Sequence, residues 1–244
     1  MIELKSVYKS FSSNFALQDI SCFFLPGKVN MIIGESGSGK TTLLKLMIGL
    51  HSLDKGEIFF KKQNYSDLNK DGTNNLRKSI GMLFQQGALF DFMNVLDNVK
   101  FPLQMLSDKS DKEINLRANF CLERVNLINA QQMMPSELSG GMIKRVAIAR
   151  AISMNPKYLF CDEPNSGLDP NTSIIIDELI KEITEEYNIT TVINTHDMRS
   201  VVKIASNIVY LSNGLLEWSG YKKDIKSSNN ISLNEFFNNS KIKI

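Results

Sequence analysis

Short apolar runs alternate with polar turns and amphipathic stretches along most of the chain. Residues 29–33 and 158–161 are almost continuously apolar, a pattern typical of strands buried in a parallel sheet. Residues 2–7 and 17–25 predict two further strands joined by a polar turn. The alternation of these strands with helical segments predicts an α/β fold.

Helical periodicity is clearest over residues 111–129. Apolar side chains recur there mostly three or four positions apart, at Ile114, Ala118, Cys121, Leu122 and Val125. Residues 139–154 form a second helical stretch, so the region from 86 to about 155 is predicted to be a mostly helical insertion. Further along, Asn213-Gly214 predicts a hairpin between two strands.

The composition is that of an ordinary globular protein of 244 residues, with 43% hydrophobic and 22% charged residues. A net charge of +2 is too small for the concentrated basic surface that nucleic acid requires, so we expect no nucleic-acid partner. Three cysteines without CxxC spacing argue against a disulfide framework or a zinc site. No apolar run approaches the roughly 20 residues that span a bilayer, so we expect any membrane-embedded part to belong to a partner.

The strongest chemical signal is a glycine-rich loop between a predicted strand and a predicted helix. Its residues match G-x-x-x-x-G-K-[ST] and are Gly34, Glu35, Ser36, Gly37, Ser38, Gly39, Lys40 and Thr41, with Thr42 following. The glycines let successive backbone N–H groups face phosphate oxygens at a helix N-terminus. Lys40 is expected to reach the β- and γ-phosphates, and the Thr41 hydroxyl to bind Mg²⁺. This pattern predicts nucleotide binding.

Polar residues also follow the other predicted strands of the sheet. Asp162 and Glu163 end an apolar strand, where Asp162 is expected to hold Mg²⁺ and Glu163 to accept a proton from water. The alternative is two acids that merely solvate a strand end. His196 and Gln85 also follow strands, His196 being a candidate for γ-phosphate contact, although a structural histidine and a surface glutamine are the alternatives.

A second glycine-containing segment opens a predicted helix at Ser139, Gly140 and Gly141. Ser139 has the residue type of an N-cap, so an ordinary helix start is one interpretation. A helix N-terminus with two glycines also binds phosphate, which makes contact with a second nucleotide the other interpretation.

Taken together, these motifs resemble those of the ATP-binding cassette (ABC) ATPases over about residues 1–220. The glycine-rich loop is similar to Walker A, Gln85 to the Q-loop glutamine, and Leu138 to Met142 to the LSGGQ signature. Asp162 and Glu163 resemble Walker B, Ser166 to Asp169 the D-loop, and His196 the switch histidine. The resemblance implies an α/β P-loop NTPase fold. Its parts are a RecA-like core sheet, an N-terminal antiparallel β-subdomain and an inserted α-helical subdomain.

The resemblance also implies a mechanism. Two copies form a homodimer in which ATP on one Walker A loop is covered by Ser139, Gly140 and Gly141 of the other. Glu163 activates water, His196 and Gln85 sense the γ-phosphate, and Mg²⁺ is held by Thr41, Gln85 and Asp162. Asp169 lies in the D-loop. Phe11 falls where the family places an aromatic that stacks on adenine, with Tyr8, Phe15 or a core role for Phe11 as alternatives.

One departure from the family pattern predicts a substrate. Met142 stands where most members carry Gln, and this LSGGM sequence resembles the ATPases of Mla-type phospholipid transporters. Residues 84–90 and 98–103 resemble F-Q-x-x-A-L-F and N-V-x-F-P-L segments of the same group. We therefore expect an ATPase for phospholipid transport at the cytoplasmic face of the inner membrane. Its partners would be a permease, gripped through residues 87–103, and an MCE-domain lipid-binding protein.

Two other functions compete with this one. A different ABC transporter, for amino acids, metal complexes or lipoprotein release, shares all the core motifs. A soluble ABC protein of translation or DNA repair usually carries two cassettes or a long coiled coil, and this sequence shows neither.

The predicted domain organisation follows from these assignments. Residues 1–220 form the ATPase domain, with its core at 1–85 and 156–220 and the helical insertion at about 86–155. Residues 221–244 form a tail rich in Asn, Ser and Lys. This tail is predicted to be disordered or to contain a short helix, and Phe236 and Phe237 are candidates for docking on the other protomer.

Overall fold

The computed structural model describes residues 1–12 and 14–239. The strands in this part of the chain are β1 (Ile2–Phe11), β2 (Asn14–Phe24), β3 (Val29–Ile33), β4 (Lys55–Phe60), β5 (Gln63–Asn64), β6 (Ile80–Leu83), β7 (Tyr158–Asp162), β8 (Thr190–Thr195), β9 (Asn207–Ser212) and β10 (Leu215–Tyr221). The α-helices are α1 (Lys40–Met47), α2 (Lys70–Lys78), α3 (Val95–Leu106), α4 (Asp111–Arg124), α5 (Gly140–Ile152), α6 (Pro170–Glu186), α7 (Met198–Ile204) and α8 (Ile231–Asn239). Over these residues, none of the helices is both long and apolar enough to cross a bilayer.

Six strands form the central sheet, in the order β10-β9-β3-β8-β7-β6. Strands β9 to β6 are parallel, and β10 pairs antiparallel with β9 through the Asn213-Gly214 turn that the sequence predicts. In the register, Ile33 pairs with Thr195 and Asp162 with Asn194. The carboxyl ends of β3, β8 and β7 therefore meet at one edge of the sheet, where ligands bind in open α/β sheets.

A second, antiparallel sheet has the order β2-β1-β4-β5. The pairing of β1 with β2 continues to Phe11 and Asn14, so both strands run closer to the turn than the sequence pattern predicts. This sheet shares an apolar core with α1 and one face of the central sheet, including Phe24, Leu43 and Val192. The predicted α/β fold with an N-terminal antiparallel subdomain is confirmed.

The central sheet separates two apolar cores because its side chains alternate between faces. Met31 of β3 packs with Val146 of α5 and Ile180 of α6, whereas its neighbour Ile32 packs on the opposite side with Leu43 of α1. Helices α3, α4 and α5 lie between β6 and β7 in the chain, and most of their buried apolar side chains join the first of these cores. The inserted helices are thereby fixed against the core sheet rather than set apart from it.

Two helices differ from the sequence prediction. Helix α2 is missed by the apolar pattern because none of its residues is buried, and its start is set by Asn69, whose Oδ1 accepts a hydrogen bond from Gly72 N at 2.8 Å. The apolar composition of residues 42–50 predicts the helix that follows the glycine-rich loop over that range. Helix α1 instead begins at Lys40, directly after Gly39 in the left-handed region, and ends at Met47, before Gly49 with φ of 74°.

The tail contributes a helix to the first core. Leu233 and Phe237 of α8 are buried in that core, and the ring of Phe236 lies 5.0 Å from that of Tyr210. These aromatic rings pack within their own chain, which differs from the predicted docking on another protomer. Residues 240–244 of the predicted tail lie outside the described residues.

Candidate functional site

The glycine-rich loop joins the fully buried strand β3 to helix α1. Gly34, Gly37 and Gly39 have φ values of 149°, 82° and 101°, which side-chain-bearing residues adopt rarely. At Gly34 a Cβ atom would overlap the carbonyl oxygen of Leu211, and at Gly39 it would lie 2.7 Å from Ala16 O. The sequence therefore folds this way because glycine alone fits these two positions.

Lys40 lies across this loop. Its Nζ donates hydrogen bonds to Gly34 O at 2.9 Å and to Glu35 O at 2.8 Å, and the residue is 7% exposed. Burial lowers the pKa of Lys40, while the negative charges of Glu163 and Asp162 act in the opposite direction. The ammonium thus lies where the loop, the two acids and the first turn of α1 converge.

Asp162 ends β7 next to the first turn of α1. Its Oδ1 accepts hydrogen bonds from Thr41 Oγ1 at 3.2 Å and from Asn194 Nδ2 at 3.1 Å. A hydroxyl and a carboxylate in contact are the hard oxygen ligands that Mg²⁺ prefers, so these donors fit the predicted magnesium site.

Glu163 and His196 meet at the edge of the sheet. Glu163 Oε2 lies 2.8 Å from His196 Nδ1, and the Glu163 N–H donates to Asn194 O at 3.0 Å. Glu163 has φ of 49°, a left-handed conformation that is uncommon for a residue with a side chain. The carboxylate is therefore held at a fixed place beside the imidazole, close to the end of β8.

These elements enclose a cavity of about 510 Å³, which we call the P-loop cavity. It is lined by Ala16, Ser36, Gly37, Gly39, Lys40, Thr41, Thr42, Gln85, Glu163 and His196. Gln85 follows β6, and its Nε2 lies 3.3 Å from Ser166 Oγ, which it can reach as a donor. The structure thus brings together nine of the residues predicted from sequence to bind nucleotide or to act on it.

Phe11 is placed differently. Its ring lies 5.3 Å from that of His51 in an edge-on contact, and the side chain is 44% exposed. Phe11 is not among the described residues that line the P-loop cavity, whereas Ala16 of the neighbouring strand β2 is. The geometry leaves the predicted adenine contact of Phe11 without direct support.

The signature residues are separate from the P-loop cavity of their own chain. Ser139, Gly140 and Gly141 line a second cavity of about 280 Å³ together with Asp169 and Thr172. Ser139 Oγ accepts from Met142 N at 3.3 Å, and Asp169 Oδ1 caps α6 by accepting from Asn171 N at 3.0 Å. Hydrogen bonds from Thr172 and the neighbouring backbone lower the pKa of Asp169.

Sequence reasoning missed two residues of the site. Asn194 ties Asp162 to β8, and Lys144 donates from α5 to the backbone oxygen of Gln85. Lys144 could have been found from periodicity, since it lies three and seven positions before the buried Ala147 and Ala151 on one face of α5. Asn194 has no such local signal because its contact depends on the pairing of two strands.

An apolar groove lies on the other side of the loop that follows β6. Its volume is about 410 Å³, and its apolar wall is formed by Phe84, Ala88, Phe90, Phe101, Pro102 and Leu106. Asn98 shapes the wall, since its side chain exchanges hydrogen bonds with Phe90 N at 2.8 Å and Phe90 O at 3.1 Å. We call this the α3 groove.

Comparison with known families gives a match to the ABC transporter family over residues 17–166. The methionine import ATP-binding protein MetN of Clostridium tetani is 41% identical over 92% of this chain and 70% of its own length. The protein of the same name from Campylobacter jejuni is 38% identical over 98% of this chain and 76% of its own length. The relatives are thus longer than this chain.

Solved structures agree with the fold. The ATP-binding cassette MJ0796, a dimer in a post-hydrolysis state bound to ADP and Pi, superposes with a TM-score of 0.82 at 33% identity, over 91% of this chain and 98% of that one. The protein cbiO1 of Clostridium perfringens, part of the ABC transporter complex cbiONQ, gives 0.85 at 30% identity, over 94% and 92%.

The prediction of phospholipid transport is wrong, because the relatives carry the name of methionine importers. They likewise give no support to an MCE-domain partner. The structure explains why the motifs misled. Asn98 and Phe90 are joined by hydrogen bonds, and the rings of Phe90 and Phe101 lie 4.7 Å apart, so residues 84–90 and 98–103 are matched to each other by local packing. Neither they nor Met142 report on a transported substrate.

Proposed function

The chain belongs to the ABC transporter family, and from this membership we propose that it is the ATP-hydrolysing subunit of an importer for methionine or a similar amino acid. The observation that carries the activity is the Glu163–His196 contact of 2.8 Å on the wall of the P-loop cavity. The substrate is proposed from the names of the relatives.

ATP would bind with its phosphates on the glycine-rich loop. Backbone N–H groups of residues 34–39 and the N-terminus of α1 favour anions there. Lys40 would donate to the β- and γ-phosphates from its place across the loop. Thr41, Gln85 and Asp162 would hold Mg²⁺, which when bound neutralises charge on the phosphates.

Glu163 is the general base of the proposed reaction. Its carboxylate accepts a proton from the attacking water, whose oxygen then bonds to the γ-phosphorus as the bond to the leaving ADP oxygen breaks. His196 holds this carboxylate in place and, as a residue of the same cavity wall, would contact the γ-phosphate. Gln85 lines the same cavity and links it to Ser166 of the D-loop.

A homodimer completes the site. Ser139, Gly140 and Gly141 lie away from their own P-loop cavity, which supports contact with the nucleotide of a second copy. The N-terminus of α5 would present its backbone N–H groups to that γ-phosphate. Asp169 lies beside the signature in the same cavity and would face the partner as well.

The α3 groove is the proposed docking site for an integral-membrane permease. Its apolar wall suits a partner helix that lays its apolar face into a groove. The chain would then act at the cytoplasmic face of the cell membrane, with a substrate-binding protein delivering the amino acid from the other side. For the chain itself we keep the division into a core of residues 1–85 and 156–220, an insertion of about 86–155, and a tail of 221–244.

Reconstitution tests the transport function. The chain is copurified with its permease from gently solubilised membranes, placed in liposomes, and supplied with ATP, labelled methionine and the binding protein. Uptake of methionine that stops with Glu163→Gln supports the proposal. Copurification with a permease that moves phospholipid or another class of solute, and not methionine, would contradict it.

A further inference from the structure

Lys144 is a buried cation at the centre of the site that the proposed reaction does not use. It lies in α5, three residues after the signature glycines, and is 4% exposed. Its Nζ donates to Gln85 O and lies 3.5 Å from Glu163 O. One ammonium therefore contacts two backbone segments that carry residues of the P-loop cavity.

Those two segments follow neighbouring strands. Strands β6 and β7 pair in parallel, with Leu83 opposite Cys161, so Gln85 and Glu163 emerge side by side. The Lys144 side chain enters between them from the helix above the sheet. Its contacts fix the distance between the segment before the α3 groove and the segment that holds the general base.

Packing alone does not account for a charge at this place. Lys144 belongs to none of the salt bridges among the described residues, and its identified acceptors are backbone oxygens. Burial lowers its pKa, and the negative charge of Glu163 acts in the opposite direction. A buried ammonium is costly, and an apolar side chain of similar length would fill the same space without that cost.

The same helix begins with the signature. Ser139 caps α5, and Lys144 lies little more than one turn further along. A movement of α5 as a rigid body that takes Lys144 away from Gln85 and Glu163 would therefore also move Ser139 and Gly140. The contact thus links the helix that begins with Ser139 and Gly140 to the two segments that carry Gln85 and Glu163.

We propose that Lys144 is a positioning residue, which holds the signature helix against Gln85 and Glu163 so that both half-sites of the dimer close together. The inference rests on the proposed function, because it needs ATP-dependent dimerisation and Glu163 as base. Since Lys144 does not line the P-loop cavity, ATP binding by a single protomer does not depend on it.

The test compares three variants of the full chain. Lys144→Met keeps the length and removes the donors, and Lys144→Gln restores an N–H donor without charge. Arg117→Met is the matched control, since Arg117 also donates to backbone oxygens at the C-terminal end of α5, at 2.8 Å to Ile152 O and 3.0 Å to Ser153 O, and does not line the P-loop cavity. Measured quantities are kcat, KM, the melting temperature and the ATP affinity of the monomer.

We expect Lys144→Met to lower kcat about tenfold or more, the size of effect that loss of a charge-assisted hydrogen bond gives. KM and monomer ATP affinity should stay within about twofold. Lys144→Gln should recover part of kcat, and Arg117→Met should lower the melting temperature without changing kcat. A Lys144→Met enzyme with normal kcat, or a kcat loss that Arg117→Met reproduces at equal loss of melting temperature, overturns the proposal.

Dimerisation is measured separately in the Glu163→Gln background by sedimentation with ATP. The double variant with Lys144→Met should dimerise about tenfold more weakly than Glu163→Gln alone. If Glu163→Gln alone neither dimerises nor loses turnover, the proposed function fails first. If it does both and Lys144→Met changes neither dimerisation nor kcat, the positioning role alone is wrong.

Discussion

The loop of residues 84–90 borders two regions, and the residue types of these regions differ in how much they indicate about function. On one side, Gln85 joins the P-loop cavity, where charges, glycines and backbone donors meet. On the other, Phe84, Ala88 and Phe90 line the apolar α3 groove. The first region demands particular residue types, because phosphate, metal and water each need matching groups. The second accepts any apolar wall that fits a helix, so its residue types identify a contact surface and leave the transported solute open.

The largest effect is expected for a substitution in the P-loop cavity that leaves the α3 groove unchanged. Glu163→Gln should lower hydrolysis by about 10² or more, because a general base contributes that much to proton transfer. Binding of ATP and of the permease should persist, since the amide keeps the shape of the side chain. Single-turnover hydrolysis and ATP binding are measured on the same preparation. Turnover at the wild-type rate would show that Glu163 is not the base.

A charge introduced into the α3 groove should weaken binding of the permease and leave ATP hydrolysis unchanged. Leu106 lies on the groove wall and is 42% exposed, so Leu106→Asp costs the free chain little. Burying the new carboxylate against a permease should weaken assembly by about tenfold or more. The measurement is copurification with the permease beside ATP hydrolysis by the isolated chain, which should not change.

The control for the groove is Leu116→Asp. Leu116 is 64% exposed on α4 and does not line the groove, so this variant should assemble normally. Equal loss of assembly in both variants would mean that α3 does not carry the docking site.

A smaller effect is expected in the antiparallel sheet, where Asp54 contacts Lys9 and Ser10 of β1. Hydrogen bonds from Lys9 and Ser10 hold the pKa of Asp54 well below its usual range. A lowered pKa means that the stabilisation is present at neutral pH and is lost as pH falls below about 4, the value of a free Asp, towards the lowered value. Asp54→Asn should therefore lower the melting temperature by roughly 1–3 °C at pH 7, and the difference should shrink in acid.

The measurement compares melting curves of the unsubstituted chain and of Asp54→Asn between pH 7 and pH 2. Asp67→Asn serves as control, because Asp67 is exposed and has no salt bridge among the described residues. A difference for Asp54→Asn that stays constant down to pH 2 would contradict the assignment.

The smallest effect is expected for Met142→Gln. Ser139 Oγ accepts from the backbone N–H of Met142, and this bond does not depend on the side chain. Hydrolysis should stay within about twofold and the transported solute should not change. Transport assays with methionine and with phospholipid, beside the rate of ATP hydrolysis, test both expectations. A switch of solute on this single substitution would restore Met142 as a marker of the substrate.

Part of the fold and of the candidate site can be predicted from the sequence, and part cannot. The fold and the main members of the cavity follow from local patterns, since Gly34, Lys40 and Glu163 each stand at the end of a strand or the start of a helix. The Glu163–His196 contact and the bridging role of Asn194 depend on strand order, which local pattern does not contain. Helix α2 left no signal because it has no buried face.

Lys144 shows a different limit. A lysine in an amphipathic helix is usually a solvated residue, so the residue type argues against burial even though the spacing from Ala147 and Ala151 places Lys144 on the buried face of α5. The substrate was mispredicted for a physical reason as well. In the proposed function the ATPase would contact nucleotide and permease but not the transported solute, so the resemblance at Met142 and Phe90 does not identify that solute.

The left-handed backbone of Glu163 has a consequence for heat resistance. A residue with a Cβ atom pays roughly 1–2 kcal/mol to adopt φ of 49°, and glycine does not. Selection for thermal endurance alone would thus favour Gly at position 163, which abolishes the carboxylate. Variants of this chain that survive heating longest can be the ones that have stopped working, so a screen by residual folded protein would enrich the inactive enzyme.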